Sequence, residues 1–147
     1  MFRFVVRRLR WLARIPGAPQ FFDALLLAHT AIFHRERLAA MEEIEASVLR
    51  LPGVRLRVHR LGGVEFFAGA RELGHLHGNG LLDVNAGREL AATLVSEGRA
   101  EWHHVFGPSA WVSRWVRGCD DVAAATALLH AAFSEMQNLP LLKSTSC

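Results

Sequence analysis

A chain of 147 residues, 51% of them hydrophobic, has room for one domain with a real core plus a flanking segment, and too little for two ordinary domains. Its formal charge of +3 is lopsided: Arg3, Arg7, Arg8, Arg10 and Arg14 all precede the first acidic residue, Asp23, and the remainder carries a net −2. A mildly acidic body argues against a nucleic-acid partner, and two cysteines, Cys119 and the terminal Cys147, argue against a disulfide framework, so a cytoplasmic setting is expected.

Residues 2–14 read as a helix with Phe2, Val5, Val6, Leu9 and Leu12 on one stripe and Arg3, Arg7, Arg10 and Arg14 opposite. Such a basic amphipathic segment suits an anionic membrane surface, where each Arg adds about 1 kcal/mol, or docks on the domain. Pro16-Gly17-Ala18-Pro19 ends it. Phe21 to Phe33 is a second apolar helix, interrupted by Asp23 and His29 and too short to span a bilayer; it is expected to lie against the domain or to form a homo-oligomer contact. Glu36 to Leu51 is a third, with Leu38, Met41, Ile44, Val48 and Leu51 facing in and Glu42, Glu43 and Glu45 facing water, and Pro52-Gly53 stops it. Residues 1–40 are accordingly read as a helical arm, 41–140 as the domain and 141–147 as a flexible tail.

Strands follow. Val54, Leu56 and Val58 alternate with Arg55, Arg57 and His59, and Gly62-Gly63 turns the chain into Val64–Ala68. Residues 71–77 and 81–84 form a hairpin about Gly78-Asn79-Gly80. Asn85 is placed to cap a helix over 86–97. Residues 99–105 and 111–117 read as two more strands joined by a turn at Gly107-Pro108-Ser109, and Asp120-Asp121 opens a last helix with Val122, Ala125, Leu129, Ala132, Phe133 and Met136 facing in. The fold class is α+β: a single antiparallel sheet of about five to six strands packed against helices, with an N-terminal helical arm.

The chemistry concentrates in the hairpin. Strict alternation puts Arg71, Leu73, His75 and His77 on one face and Glu72, Gly74 and Leu76 on the other, with Asp83 opposite or diagonal to the imidazoles. By the same rule only one of His103 and His104 points at that face. No phosphate loop, dinucleotide fingerprint or nucleophile elbow is present, so no cofactor is named by the sequence.

The matching runs Leu51-Pro52-Gly53-Val54, His59-Arg60 with Gly62-Gly63, Arg71-Glu72-Leu73-Gly74-His75-Leu76-His77, Leu82-Asp83, Gly98-Arg99-Ala100-Glu101 with His103-His104-Val105, and Trp111-Val112-Ser113 resemble the small luciferase-like domain family from about Ser47 onward. The departure is Ala110, where the family has Gly before the Trp, in a place expected to be a turn. The resemblance implies the family label and no particular activity.

Three readings stand. In the first, Arg71, Glu72, His75, His77, Asp83, His103, His104, Trp111 and Ser113 bind, or bind and transform, a small polar or anionic molecule, the Arg and imidazoles meeting a carboxylate or phosphate and, in the catalytic case, a His serving as general acid or base. In the second, His75, His77, Asp83 and His104 hold a metal. In the third, Trp102, Trp111 and Trp115 beside Arg99, Arg114 and Arg117 make a non-enzymatic module for a protein or nucleic acid.

Overall fold

The computed structural model describes residues 17–60 and 62–138; the expected 2–14 helix, Cys147 and the tail from 141 lie outside them. In chain order come α1 (Ala18–Phe33), α2 (Arg35–Val48), β1 (Val54–Val58), β2 (Val64–Ala68), β3 (Arg71–Leu76), β4 (Leu81–Asn85), α3 (Arg88–Ser96), β5 (Glu101–His103), β6 (Gly107–Trp115), a 3-10 turn at Cys119–Asp121, and α4 (Val122–Asn138). The strands form one antiparallel sheet in the order β1-β2-β3-β4-β6-β5, so the expected α+β architecture is present with six strands. Hairpin turns join β1 to β2 and β3 to β4, and α3 is the connection that lets β6 pair with β4 while β5 takes the edge.

One face of the sheet is dry. Phe66, Leu73, Leu76, Leu82, Val84 and Val112 are buried there against Ala91 and Leu94 of α3 and Ala125, Leu128, Leu129, Ala132, Phe133 and Met136 of α4, with Ile44 and Val48 of α2 packed behind. Each buried Leu, Ile or Phe contributes roughly 1.5–3 kcal/mol of transfer free energy, which makes this layer the main source of stability. The apolar stripe expected of the last helix is the one α4 buries.

The other face carries the polar row. Register runs Arg57–Glu65–His75–Asp83–Ser113–Glu101 straight across all six strands, so these side chains share a face. The expected alternation along β3 fails at one residue. Phe66 pairs with Gly74 while its neighbour Phe67 pairs with Glu72, which leaves Leu73 as an extra residue, a β-bulge. Leu73 drops into the core, Glu72 joins the His75 face, and Arg71 leaves it: the Arg71 guanidinium donates to the Met136 carbonyl near the end of α4. Apolar burial of Leu73 decides the matter, because strict alternation would have put it among the charges.

Two turns also differ from expectation. The β5–β6 turn is His104–Phe106, not Gly107-Pro108-Ser109, because the His103 ring nitrogen Nδ1 accepts the amides of Val105 (3.1 Å) and Phe106 (3.3 Å) and tightens the chain there. Asn85 is the last residue of β4 rather than a helix cap; its side-chain amide donates to the Glu72 carbonyl, and Gly87 precedes α3.

Candidate functional site

Asp83 is the centre. It sits mid-strand in a sheet whose two flanking strands supply its partners, and none of its surface is exposed. Oδ1 accepts the Ser113 hydroxyl from the directly opposite position on β6. Oδ2 is faced by three imidazole nitrogens, His75 Nε2 at 3.3 Å, His77 Nε2 at 3.5 Å and His103 Nε2 at 3.6 Å, yet none of these approaches makes a hydrogen bond and the atom is otherwise buried. Burial alone would raise the Asp83 carboxyl, but the surrounding imidazoles and the Ser113 hydroxyl outweigh it and hold the group far below the usual carboxylate range.

His75 lies in β3 and His77 is the first residue after it, still hydrogen-bonded to Leu81 across the hairpin, so that both rings reach Asp83 as the spacing of two predicts. Each lies between two carboxylates. His75 Nδ1 is 2.7 Å from Glu72 Oε1, and burial, which lowers the imidazole, is outweighed by Asp83 and Glu72, so the ring is pushed up to about 9. His77 Nδ1 faces Asp23 Oδ1 at 3.7 Å and is likewise raised, Asp23 and Asp83 overcoming burial. His59, which ends the β1 segment, stacks flat on His75 with ring centroids 4.2 Å apart and planes 8° from parallel. Burial and the neighbouring His75 charge lower His59 to about 4, so it stays neutral beside its charged neighbour.

Asp23 reaches this cluster because α1 is pinned to the hairpin turn. Its Oδ1 accepts the Gly78 amide at 2.9 Å and Thr30 donates to the Gly78 carbonyl at 2.8 Å, so both backbone groups of Gly78 are held by one helix. Only glycine fits: a Cβ there would stand 2.7 Å from the Leu27 nitrogen and 2.8 Å from the Asp23 carbonyl oxygen.

Both histidines of the 103–104 pair come to Asp83, where alternation allowed one. The strand ends at His103, so His104 is free to turn back, its Nδ1 lying 3.9 Å from Asp83 Oδ1 and its ring stacked on His103 at 4.5 Å. Trp111 closes the group, 5.5 Å from the His75 ring and 6.1 Å from the His103 ring. Of the nine residues singled out in the sequence, Glu72, His75, His77, Asp83, His103, His104, Trp111 and Ser113 therefore converge, and Arg71 stands on the opposite face.

Residues 70–132 match the family model described as the Luciferase domain. That segment is similar to the Luciferase-domain family. No curated protein and no solved structure matches the chain. The matched segment begins just before β3 and so contains the bulge, Asp83 and the 103–104 pair, while Asp23 and His59 come from outside it. Its Ala110 lies within β6, where the carbonyl accepts the Ala86 amide, and not in a turn.

Asp23 and His59 were the residues the sequence reading missed. The signal for Asp23 was there: a lone carboxylate in an otherwise uncharged apolar helix needs a partner when buried. His59 reads as the wet side of an edge strand until the cluster that covers it is known. The described residues thus present three groupings whose ligating atoms all lie within 4.8 Å of one another, His59/Glu72/His75, His75/His77/Asp83 and Asp83/His103/His104.

Tautomers separate them. The His103 Nδ1 accepts two backbone amides, which puts the proton on Nε2 and makes that atom a donor toward Asp83, not a metal ligand. His75 and His77 have the reverse arrangement: carboxylates face Nδ1 and hold a proton there, so the second proton of the charged ring sits on Nε2, on the Asp83 side, and its loss leaves the lone pair at that atom.

Proposed function

We propose that the luciferase-like domain is a metal-dependent binding centre, in which His75 Nε2, His77 Nε2 and Asp83 Oδ2 hold one divalent ion and a small polar or anionic molecule takes a position the protein leaves open. The observation that carries the reading is the buried Asp83 Oδ2, which has no hydrogen bond and yet stands 3.3 and 3.5 Å from the two imidazole nitrogens. Donor atoms bound to a common ion at about 2.0–2.2 Å are about 3.0–3.5 Å apart, so these separations are those of shared ligation and longer than good hydrogen bonds.

The surroundings support the same assignment. Glu72 and Asp23 stand behind the two imidazoles as orienting carboxylates, an arrangement that fixes the tautomer and raises ligand basicity. Ser113 fixes Asp83 Oδ1 and so turns Oδ2 inward. Two imidazoles and one carboxylate suit a borderline first-row ion such as iron(II), manganese(II) or zinc(II), and three protein ligands leave room for a small molecule. The ion would polarise or activate whatever oxygen atom it holds.

The test is metal binding by tag-free protein. Wild type, stripped with chelator and titrated anaerobically with each of the three ions, is expected to bind close to one equivalent, and His75→Ala or His77→Ala to weaken binding by on the order of a hundredfold or more. Failure of the wild type to bind any of the three stoichiometrically would sink the assignment, as would unchanged affinity in both variants.

A further inference from the structure

α1 is turned inside out. Of its sixteen residues the two that are buried are Asp23 and Thr30, the polar pair that grips Gly78. The exposed surface carries Phe21, Phe22, Leu25, Leu27, Ile32 and Phe33, with Phe21 and Ile32 each 68% exposed. Residues 18–33 include no Lys or Arg, and the one carboxylate is the buried Asp23, so the outward surface has no charged side chain. Spacings of four, three and four line up Phe21, Leu25, Ala28 and Ile32 along one stripe. A soluble surface seldom leaves so continuous an apolar stripe uncovered.

The occupant follows from charge. The seventeen residues that precede α1 in the sequence carry five Arg and no carboxylate. A second copy laid on α1 would bring five more positive charges to the same contact, whereas an anionic lipid surface is complementary to them. An apolar helical face with an adjoining polybasic stretch supplies the two signals that stable peripheral binding takes. Crossing is not at issue, since among the described residues no helix is long and apolar enough to span a membrane.

We infer that α1 lies in the interface of an anionic bilayer, its apolar stripe sunk among the acyl chains and its Asp23–Thr30 side held on the Gly78 turn, with the positive charge of the preceding sequence giving the preference for anionic lipid. Asp23 then ties the membrane seat to the His77 side of the candidate centre.

Co-sedimentation of full-length, tag-free protein with extruded vesicles tests it. The chain is expected to pellet with vesicles of phosphatidylcholine mixed with phosphatidylglycerol, far less with phosphatidylcholine alone, and less as salt is raised. Leu25→Glu/Ile32→Glu is expected to weaken partitioning by on the order of tenfold or more with the far-ultraviolet circular dichroism unchanged; should that pair disturb folding, Ile32→Gln at the 68% exposed position serves in its place with a smaller loss in the same direction. No pelleting with anionic vesicles overturns the inference, as does pelleting that neither variant reduces. A wild type that is dimeric without lipid and becomes monomeric on Leu25→Glu/Ile32→Glu also overturns it, by showing that a second copy covers α1.

Discussion

Glu72 and His75 are three residues apart on one strand, and Glu72 Oε1 nonetheless lies 2.7 Å from His75 Nδ1 on the same face of the sheet. The extra residue at Leu73 is what makes this contact, by inverting the pleat from Glu72 back to Arg71. The contact holds a His75 proton at Nδ1 and so makes Nε2 the nitrogen that would serve as a ligand in the proposed metal centre.

Removing that carboxylate should therefore act on metal binding without touching the ligands. Glu72→Ala is expected to lower metal affinity about 10- to 100-fold, and Glu72→Gln, which can still accept the Nδ1 hydrogen, by less. Competition with a chromogenic chelator measures both. Equal affinities for wild type and Glu72→Ala would show that Glu72 orients nothing.

Arg71 is the contrasting case. Its guanidinium reaches the Met136 carbonyl across the helix-covered face and has no part in the cluster. Arg71→Ala should leave metal affinity unchanged and reduce stability by roughly 1 kcal/mol, the worth of one hydrogen bond from a charged donor at a part-buried site. Urea denaturation of metal-free protein gives the second number. A loss of metal affinity comparable with that of His75→Ala would place Arg71 at the site after all.

How much could be read in advance follows from these two residues. Alternation correctly put His75 and His77 on one face, and glycine spacing correctly turned the hairpin so that Asp83 came opposite His75. The same rule misplaced Glu72 and Arg71, because a bulge is a packing decision: Leu73 is worth more in the core than the regular pleat, and neither residue type nor spacing announces it. Alternation allowed one of His103 and His104 at the site without saying which, because β5 was carried to Val105, past a turn that His103 makes with its own ring. Periodicity located α1 and left open whether its apolar side meets the domain or another copy; it is the polar pair Asp23 and Thr30 that faces inward, which an apolar stripe does not announce.

Gly78 offers a test of how α1 is attached. Gly78→Ala pushes a methyl group to 2.7 Å from the Leu27 nitrogen and 2.8 Å from the Asp23 carbonyl oxygen, both backbone atoms that cannot swing aside. The helix must shift, weakening the Asp23 and Thr30 bonds to Gly78 and drawing Asp23 away from His77. A cost of about 1–3 kcal/mol and a several-fold loss of metal affinity are expected, read by thermal denaturation and chelator competition. A variant as stable as wild type would mean that α1 is not seated on the turn as described.

The last prediction concerns pH. In metal-free protein His75 is held at about 9 against an ordinary 6.5, so the folded state binds a proton more tightly than the unfolded chain. The stability this supplies is fully present below pH 6.5 and is lost as pH rises to 9, a decline on the order of 1–3 kcal/mol to which the raised His77 adds in the same direction. His59, lowered to about 4, works below that window: its contribution is lost as pH falls from 6.5 toward 4 and is constant above 6.5. A bound ion takes the place of the His75 proton, so metal affinity should rise with pH across the same 6.5–9 interval, with proton release on binding. Melting temperatures with chelator and with saturating metal, at intervals from pH 6 to 9.5, should thus diverge with rising pH. His75→Gln removes the titrating group and should flatten the chelator series. If the wild-type chelator series is already flat between 6.5 and 9, the ring is not the charged partner of Glu72 and Asp83 that the geometry makes it.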